Sequence, residues 1–203
     1  DTVTAVAFSA SGLCLATGGP DRIVRVWAVP SGRLHFTLAG HANWVTSLVF
    51  RPGKETVDVA PLAMPCGREL ASASRDGSVR LWNVGPTAEV ATLGGHMEAV
   101  ESVIYSSDAR HIASSSDDGV VFLWDSNSGE GVRQWQAHEA RVNRVAFSPD
   151  DRLLASAGYD GTVRLWNLPA ATPASPPLVH GEGSVVYSVA FRPDGSLLAS
   201  VAE

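Results

Sequence analysis

Serine, histidine and aspartate recur along this 203-residue chain at spacings that invite a hydrolase reading. His41, His96 and His138 are 55 and 42 residues apart. Asp21, Asp76, Asp118 and Asp160 step by 55, 42 and 42, and so do Trp27, Trp82, Trp124 and Trp166. Counting back four residues from each Asp reaches Thr17, Ser72, Ser114 and Ser156, and the equivalent fifth position is Ser200. A hydroxyl, an imidazole and a carboxylate together can generate a nucleophile. An enzyme, however, needs one such set, with an exposed nucleophile and an oxyanion site. Recurrence at a fixed period points to structure, and no catalytic residue is expected here. Metal binding is not expected either. The six His are dispersed, with no Cys pair and no His-x3-His spacing. The Gly-x4-Gly-Lys phosphate loop is absent, and no cofactor is expected.

The elements that would position these residues are short strands. In each repeat, β-branched and apolar runs are bounded by Gly, Pro, Asp and Ser. In the fourth they cover Val142–Phe147, Leu153–Ala157, Thr162–Asn167 and Leu178–His180. Asp-Gly pairs fall between the second and third strands, where a tight hairpin needs a positive φ that Gly accepts at little cost. The first repeat has Asp21-Arg22 instead, and a strained or differently shaped turn is expected there. A period of about 40–45 residues with four strands is the signature of a β-propeller blade.

Gly40-His41, Gly95-His96, the run from Leu70 to Asn83, its near copy from Leu154 to Asn167, and Trp124-Asp125 together resemble the WD40 repeat. Only one literal Trp-Asp pair occurs, and Glu182 stands where the fifth repeat would carry His. The resemblance implies an all-β, WD40-type propeller domain over 1–203, with repeats at about 1–39, 40–94, 95–136, 137–180 and a partial 181–203. Four complete blades plus part of a fifth cannot close a ring that typically has seven. The chain is therefore expected to be a fragment of a larger propeller; self-assembly is the alternative if it truly ends at Glu203. The resemblance also implies buried hydrogen-bond chains running Trp to Ser to His to Asp: His41–Ser72–Asp76–Trp82, His96–Ser114–Asp118–Trp124 and His138–Ser156–Asp160–Trp166. In that order all four polar groups satisfy one another.

Composition narrows the class further. The chain is 45% hydrophobic, enough for a sizeable core, and no stretch approaches the 18 apolar residues of a membrane span. A net charge of −6 without a basic patch argues against nucleic acid as a partner. Cys14 and Cys66 do not make a disulfide framework, no Asn-x-Ser/Thr acceptor is present, and an intracellular protein is expected. Asp1 is not an initiator residue and no signal peptide is evident. Two insertions stand out, at about 53–66 in the second repeat and at Pro169–Pro177 in the fourth. Both are expected in loops opposite the Asp-Gly turns.

Function is then expected on a surface. By the resemblance, partner-binding positions lie just before each turn Asp and at the entrance of each innermost strand. They include Trp44, Thr46, Arg75, Glu101, Asp117, Arg141, Asn143, Tyr159 and Tyr187. Aromatic and Arg side chains are the usual anchors of interfaces. The expected function is a non-catalytic scaffold that binds a peptide or domain of another protein. The alternative is a regulatory or substrate-recruiting module of a larger enzyme, ubiquitin ligase or NTPase assembly.

Overall fold

A computed structural model describes residues 2–53, 66, 67, 69–84, 89–181 and 183–203, and among them it contains strands and turns but no helix. Most of the 53–66 insertion, and Glu182, lie outside the described residues.

Three sheets are four-stranded antiparallel meanders in which each strand pairs with its neighbour in sequence. The first holds β1 (Ala5–Phe8), β2 (Cys14–Gly18), β3 (Ile23–Ala28) and β4 (Leu34–Ala39). The second holds β5 (Val45–Phe50), β6 (Glu69–Ser74), β7 (Ser78–Asn83) and β8 (Glu89–Gly94). The third holds β9 (Val100–Tyr105), β10 (His111–Ser116), β11 (Val120–Asp125) and β12 (Gly131–Gln136). The fourth begins in the same way with β13 (Val142–Phe147), β14 (Leu153–Gly158) and β15 (Thr162–Asn167). Its outer strand is split into β16 (Thr172–Pro173) and β17 (Leu178–Val179), which pair with opposite ends of β15. A two-stranded sheet of β18 (Val186–Phe191) and β19 (Leu198–Ala202) follows. The sheets do not close into a ring. Val6 and Phe8 on the first sheet, and Leu197 and Val201 at the last, are exposed.

The core lies between successive sheets rather than within any one. Ala5, Val24, Val26 and Leu38 of the first sheet form one buried cluster with Val45, Leu48, Leu70 and Trp82 of the second. Trp124 closes the next interface and Trp166 the one after it. Trp82, Trp124 and Trp166, each on a third strand, thus pack back against the preceding sheet. The second strands must fit between two such packed faces, which explains why they are runs of Ala and Ser: Leu70 to Ser74 is buried at every position. Strands that are buried on both faces lose the polar alternation of a one-sided sheet.

The hairpins behave as their residues dictate. Gly77, Gly119 and Gly161 sit at φ of 81°, 78° and 77°. Arg22 takes φ 67° at the corresponding first-repeat turn, a left-handed conformation that is unfavourable for a residue with a Cβ. Asp21 helps hold it, accepting from Ile23 N–H and pairing with the Arg25 guanidinium.

The cysteine expectation is corrected. Cys14 and Cys66 form a disulfide with their Cα atoms 5.1 Å apart, and both are completely buried in the cluster that joins the first two sheets. A strand residue and a residue at the end of an insertion, 52 positions apart, meet in the buried cluster where the second sheet packs against the first.

Candidate functional site

Two constellations emerge, one buried and one on a rim. The buried one is built three times. In the second sheet the Trp82 indole N–H donates to Ser72 Oγ at 2.7 Å, the Ser72 hydroxyl meets His41 Nε2 at 2.7 Å, and His41 Nδ1 meets Asp76 Oδ2 at 2.8 Å. The third sheet repeats this with Trp124, Ser114, His96 and Asp118 at 3.0, 2.9 and 3.1 Å. The fourth uses Trp166, Ser156, His138 and Asp160, at 2.9, 2.7 and 2.9 Å. With the carboxylate accepting from Nδ1–H, Nε2 is left to accept the Ser hydroxyl proton, whose oxygen is then free to accept from the indole.

These contacts reproduce the spacing of a nucleophile, base and orienting acid. Access decides against that chemistry: Ser72, Ser114 and Ser156 are all fully buried, and each oxygen is already engaged by an indole. The Asp residues carry a second load. One oxygen of Asp76 accepts from Ser78 N–H and hydroxyl, while the other also takes Ala42 N–H. Asp118 holds Val120 and Met97 in the same manner. A single carboxylate thus ties hairpin, imidazole and incoming loop together.

In the first sheet Trp27 N–H donates to Thr17 Oγ1 at 2.9 Å. In the fifth, Ser200 Oγ is met at 2.7 Å by His180. Alignment of the repeats had pointed to position 182, so His180 was missed; no motif marks it, because it precedes Gly181 where the other His follow a Gly or Ala.

Burial opposes ionisation of Asp76, but the Ser78 hydroxyl, Ala42 N–H and His41 outweigh it and hold the carboxyl down at about 2, from an ordinary 3.8. Burial is likewise outweighed at Asp118 by His96 and the Val120 and Met97 amides, and at Asp160 by Thr162 and His138. Carboxylates depressed in the folded state bind protons more readily once unfolded. Their stabilisation is therefore complete above the unfolded pKa near 3.8 and is lost as pH falls below it, for Asp76 as pH approaches about 2. His138 is held below its ordinary 6.5, chiefly by burial and against the pull of Asp160, so its contribution starts to fade as pH drops below 6.5. The melting temperature is expected to fall on acidification from neutral, steeply below pH 4. Replacing Asp76 with Asn should flatten the steep part by about 2 kcal/mol. A variant with an unchanged acid limb would contradict this assignment.

The rim is formed where the hairpins meet the entrances of the inner strands. In the second to fourth repeats the residue before the turn Asp donates its amide to an entrance carbonyl: Arg75 to Trp44, Asp117 to Ala99, Tyr159 to Arg141. Side chains then meet across the junctions. The Arg75 guanidinium lies 4.8 Å from the Trp44 ring centroid, and its Nε is 3.8 Å from Glu101. Arg141 clasps both oxygens of Asp117, with Nη2 at 2.6 Å. Burial raises the Glu101 carboxyl, with Asp117 adding to the effect against Arg141 and Arg75. Tyr187 hydroxyl donates to Glu203 at 3.3 Å.

Exposure separates the rim residues into two groups. Trp44 is 42% exposed, Tyr159 52% and Tyr187 47%. Thr46 and Asn143 instead commit their donors to the next sheet, at Val100 O (2.5 Å) and Val186 O (2.8 Å), and Thr4 does the same at Val45 O. Their role in the structure is to join adjacent inner strands. Met97, 86% exposed on the loop that Asp118 holds, was not foreseen; its position directly after Gly95-His96 was the available signal. Trp135, in β12, is half-buried, its ring 5.9 Å from Trp166. Among the described residues, no three of His, Cys, Asp and Glu stand where they could share a metal ion. No helix among them is long and apolar enough to cross a membrane.

Successive four-stranded antiparallel sheets, packed through a third-strand Trp and pinned by a buried Ser–His–Asp chain, define blades of a β-propeller-type repeat protein. The model of the WD domain, G-beta repeat matches residues 1–28, 32–83, 87–125, 129–167 and 177–203, so this chain belongs to the WD40 family. It is similar to the ribosome biogenesis protein WDR12 homolog of Nematostella vectensis, 34% identical over 110 residues, which are 52% of this chain and 23% of that protein. The nuclear distribution protein nudF of Aspergillus niger is 33% identical over 101 residues (49% and 20%). Coronin-7 of Mus musculus is 35% identical over 103 (47% and 10%). The matches span about a quarter of these relatives' length or less. WD40 repeats are generally non-catalytic scaffolds, and their presence along this chain supports a protein-interaction module.

Proposed function

We propose that the rim of Trp44, Arg75, Glu101, Asp117, Arg141, Tyr159 and Tyr187 binds a peptide or domain of another protein, with Thr46 and Asn143 fixing its geometry from below. The carrying observation is Trp44: a large apolar ring left 42% exposed while a guanidinium holds it flat from one side. A preorganised aromatic with a neighbouring Arg loses little side-chain freedom on binding, which is the character of an interface anchor. The ion pairs at Arg75 and Arg141 leave no concentrated charge of one sign, so the rim favours an amphipathic partner over a nucleic acid. Two relatives named for ribosome biogenesis and nuclear distribution support an intracellular setting, against which stands the Cys14–Cys66 disulfide, a bond rare in reducing compartments.

The test is affinity capture on immobilised protein. Trp44→Ala combined with Arg141→Ala should abolish capture of the specific partner by at least tenfold, with the melting transition retained. Arg133→Ala, on the outer strand β12, should leave capture unchanged. Retained capture by the rim variant would refute the assignment. A second reading, a recruiting or regulatory module of a larger protein, is favoured by one observation: the curated relatives extend far beyond the matched region. Catalytic sequence adjoining these repeats in the full-length protein would support it.

A further inference from the structure

Pro169–Pro177 interrupts the outer strand of the fourth sheet, and the rim does not use it. β16 and β17 hold its ends by two paired residues each, with further bonds from Ala174 N–H to Leu165 O, from Ala171 N–H to Asn167 O and from the Asn167 side-chain amide to Thr172 O and Pro173 O. Ser175, Pro176 and Pro177 between them have no partner on β15. Two prolines that cannot donate, following Ser175, explain why the ladder cannot continue there. The segment 168–179 carries no charged side chain.

The chain contains three Ser/Thr-Pro dipeptides: Ser148-Pro149, Thr172-Pro173 and Ser175-Pro176. The fold treats them differently. Ser148 is 5% exposed, and its hydroxyl donates to Asp150 at 2.6 Å while accepting Leu153 N–H at 2.9 Å. Thr172 is exposed and its hydroxyl has no hydrogen bond among the described residues. Ser175 is half-exposed, with only a local bond to Pro176 O at 3.1 Å. One hydroxyl without a hydrogen bond among the described residues and one with only a local bond, each before proline on a segment held by four ladder residues, are what a protein kinase selective for Ser/Thr-Pro needs to draw a segment into an extended conformation.

We infer that Thr172 and Ser175 are acceptor sites for a Ser/Thr-Pro-directed protein kinase, and that Ser148 is not. The γ-phosphoryl group of a nucleoside triphosphate moves to Thr172 Oγ1 or Ser175 Oγ. A new P–O bond forms there, the bond to the leaving nucleoside diphosphate breaks, and the hydroxyl proton passes to the kinase's base. Each phosphate brings about −1.5 to −2 charges to a stretch that had none; Thr172 lies two residues and Ser175 five residues along the chain from Ala170, whose carbonyl Arg133 Nη2 holds at 3.0 Å. The modification would create an anionic point on the outer edge of the propeller, independent of the rim.

Incubating the full chain with magnesium ATP and a recombinant Ser/Thr-Pro-directed kinase tests this. Intact mass should show up to two added phosphates, mapped by fragmentation to Thr172 and Ser175. The Thr172→Ala/Ser175→Ala variant, with an unchanged melting temperature, should take up none. A synthetic 168–179 peptide serves as the control for the local sequence. Modification of the peptide but not of the folded chain would overturn the inference, because the fold would then be withholding the segment. Failure of both, or phosphate appearing on Ser148 or persisting in the double variant, would overturn it equally.

Discussion

Trp82→Ala is expected to lower stability by about 3–5 kcal/mol, with a fall in melting temperature far beyond that of any rim variant. Two losses combine. The indole is 1% exposed and sits in the cluster that joins the first two sheets, so truncation leaves a cavity where neither sheet can readily collapse. Ser72 Oγ simultaneously loses an N–H donor in a position that no water reaches. Trp166→Ala, 6% exposed and bonded to Ser156, should fall in the same range. Trp135→Ala should cost clearly less, since that ring is half-buried on an outer strand. Thermal or denaturant unfolding of the three variants checks the ranking. An unchanged melting temperature for Trp82→Ala or Trp166→Ala would remove the structural role assigned to these chains.

Opening the Cys14–Cys66 bond has a comparable expected effect through a different state. A cross-link spanning 52 residues restricts the unfolded chain, and loop-closure entropy puts its contribution at about 4 kcal/mol. Cys14→Ala/Cys66→Ala should therefore melt well below the wild type, and adding reductant should lower the wild type but not the variant. Both sulfurs are completely buried, so reduction under native conditions should be slow and should require the first two sheets to separate. Equal melting temperatures with and without reductant, or two free thiols by mass in natively purified protein, would contradict this. The two cysteines and Trp82 share one cluster, so their effects should not add; a triple variant measures the coupling.

The repeat-level features were legible because they are local or periodic. An Asp-Gly pair carries its own turn geometry, and Gly at φ near 80° in three hairpins follows from the absence of a Cβ. The anomalous Asp21-Arg22 was readable for the same reason. A third-strand Trp recurring at steps of 55, 42 and 42 residues announces a core position whatever its neighbours are. The split of the fourth outer strand was harder to place: the sequence shows a Pro-rich connection, but only pairing shows that Thr172 and Pro173 rejoin β15 before the chain leaves it again.

Period, turn chemistry and apolar pattern, then, were enough to determine an all-β repeat protein whose Ser, His and Asp recur for structural reasons, since each acts over a few residues or repeats identically along the chain. Tertiary structure alone decided which residues distant along the chain meet and which are left in solvent. It brought Cys14 to Cys66, set Arg75 over Trp44, turned Thr46 and Asn143 toward neighbouring carbonyls, left Met97 in solvent, and gave Ser200 a partner in His180. Those contacts join residues whose separation along the chain says nothing about their distance in space. They depend on how one twisted sheet seats against the next, and the side chains at such seams differ from repeat to repeat.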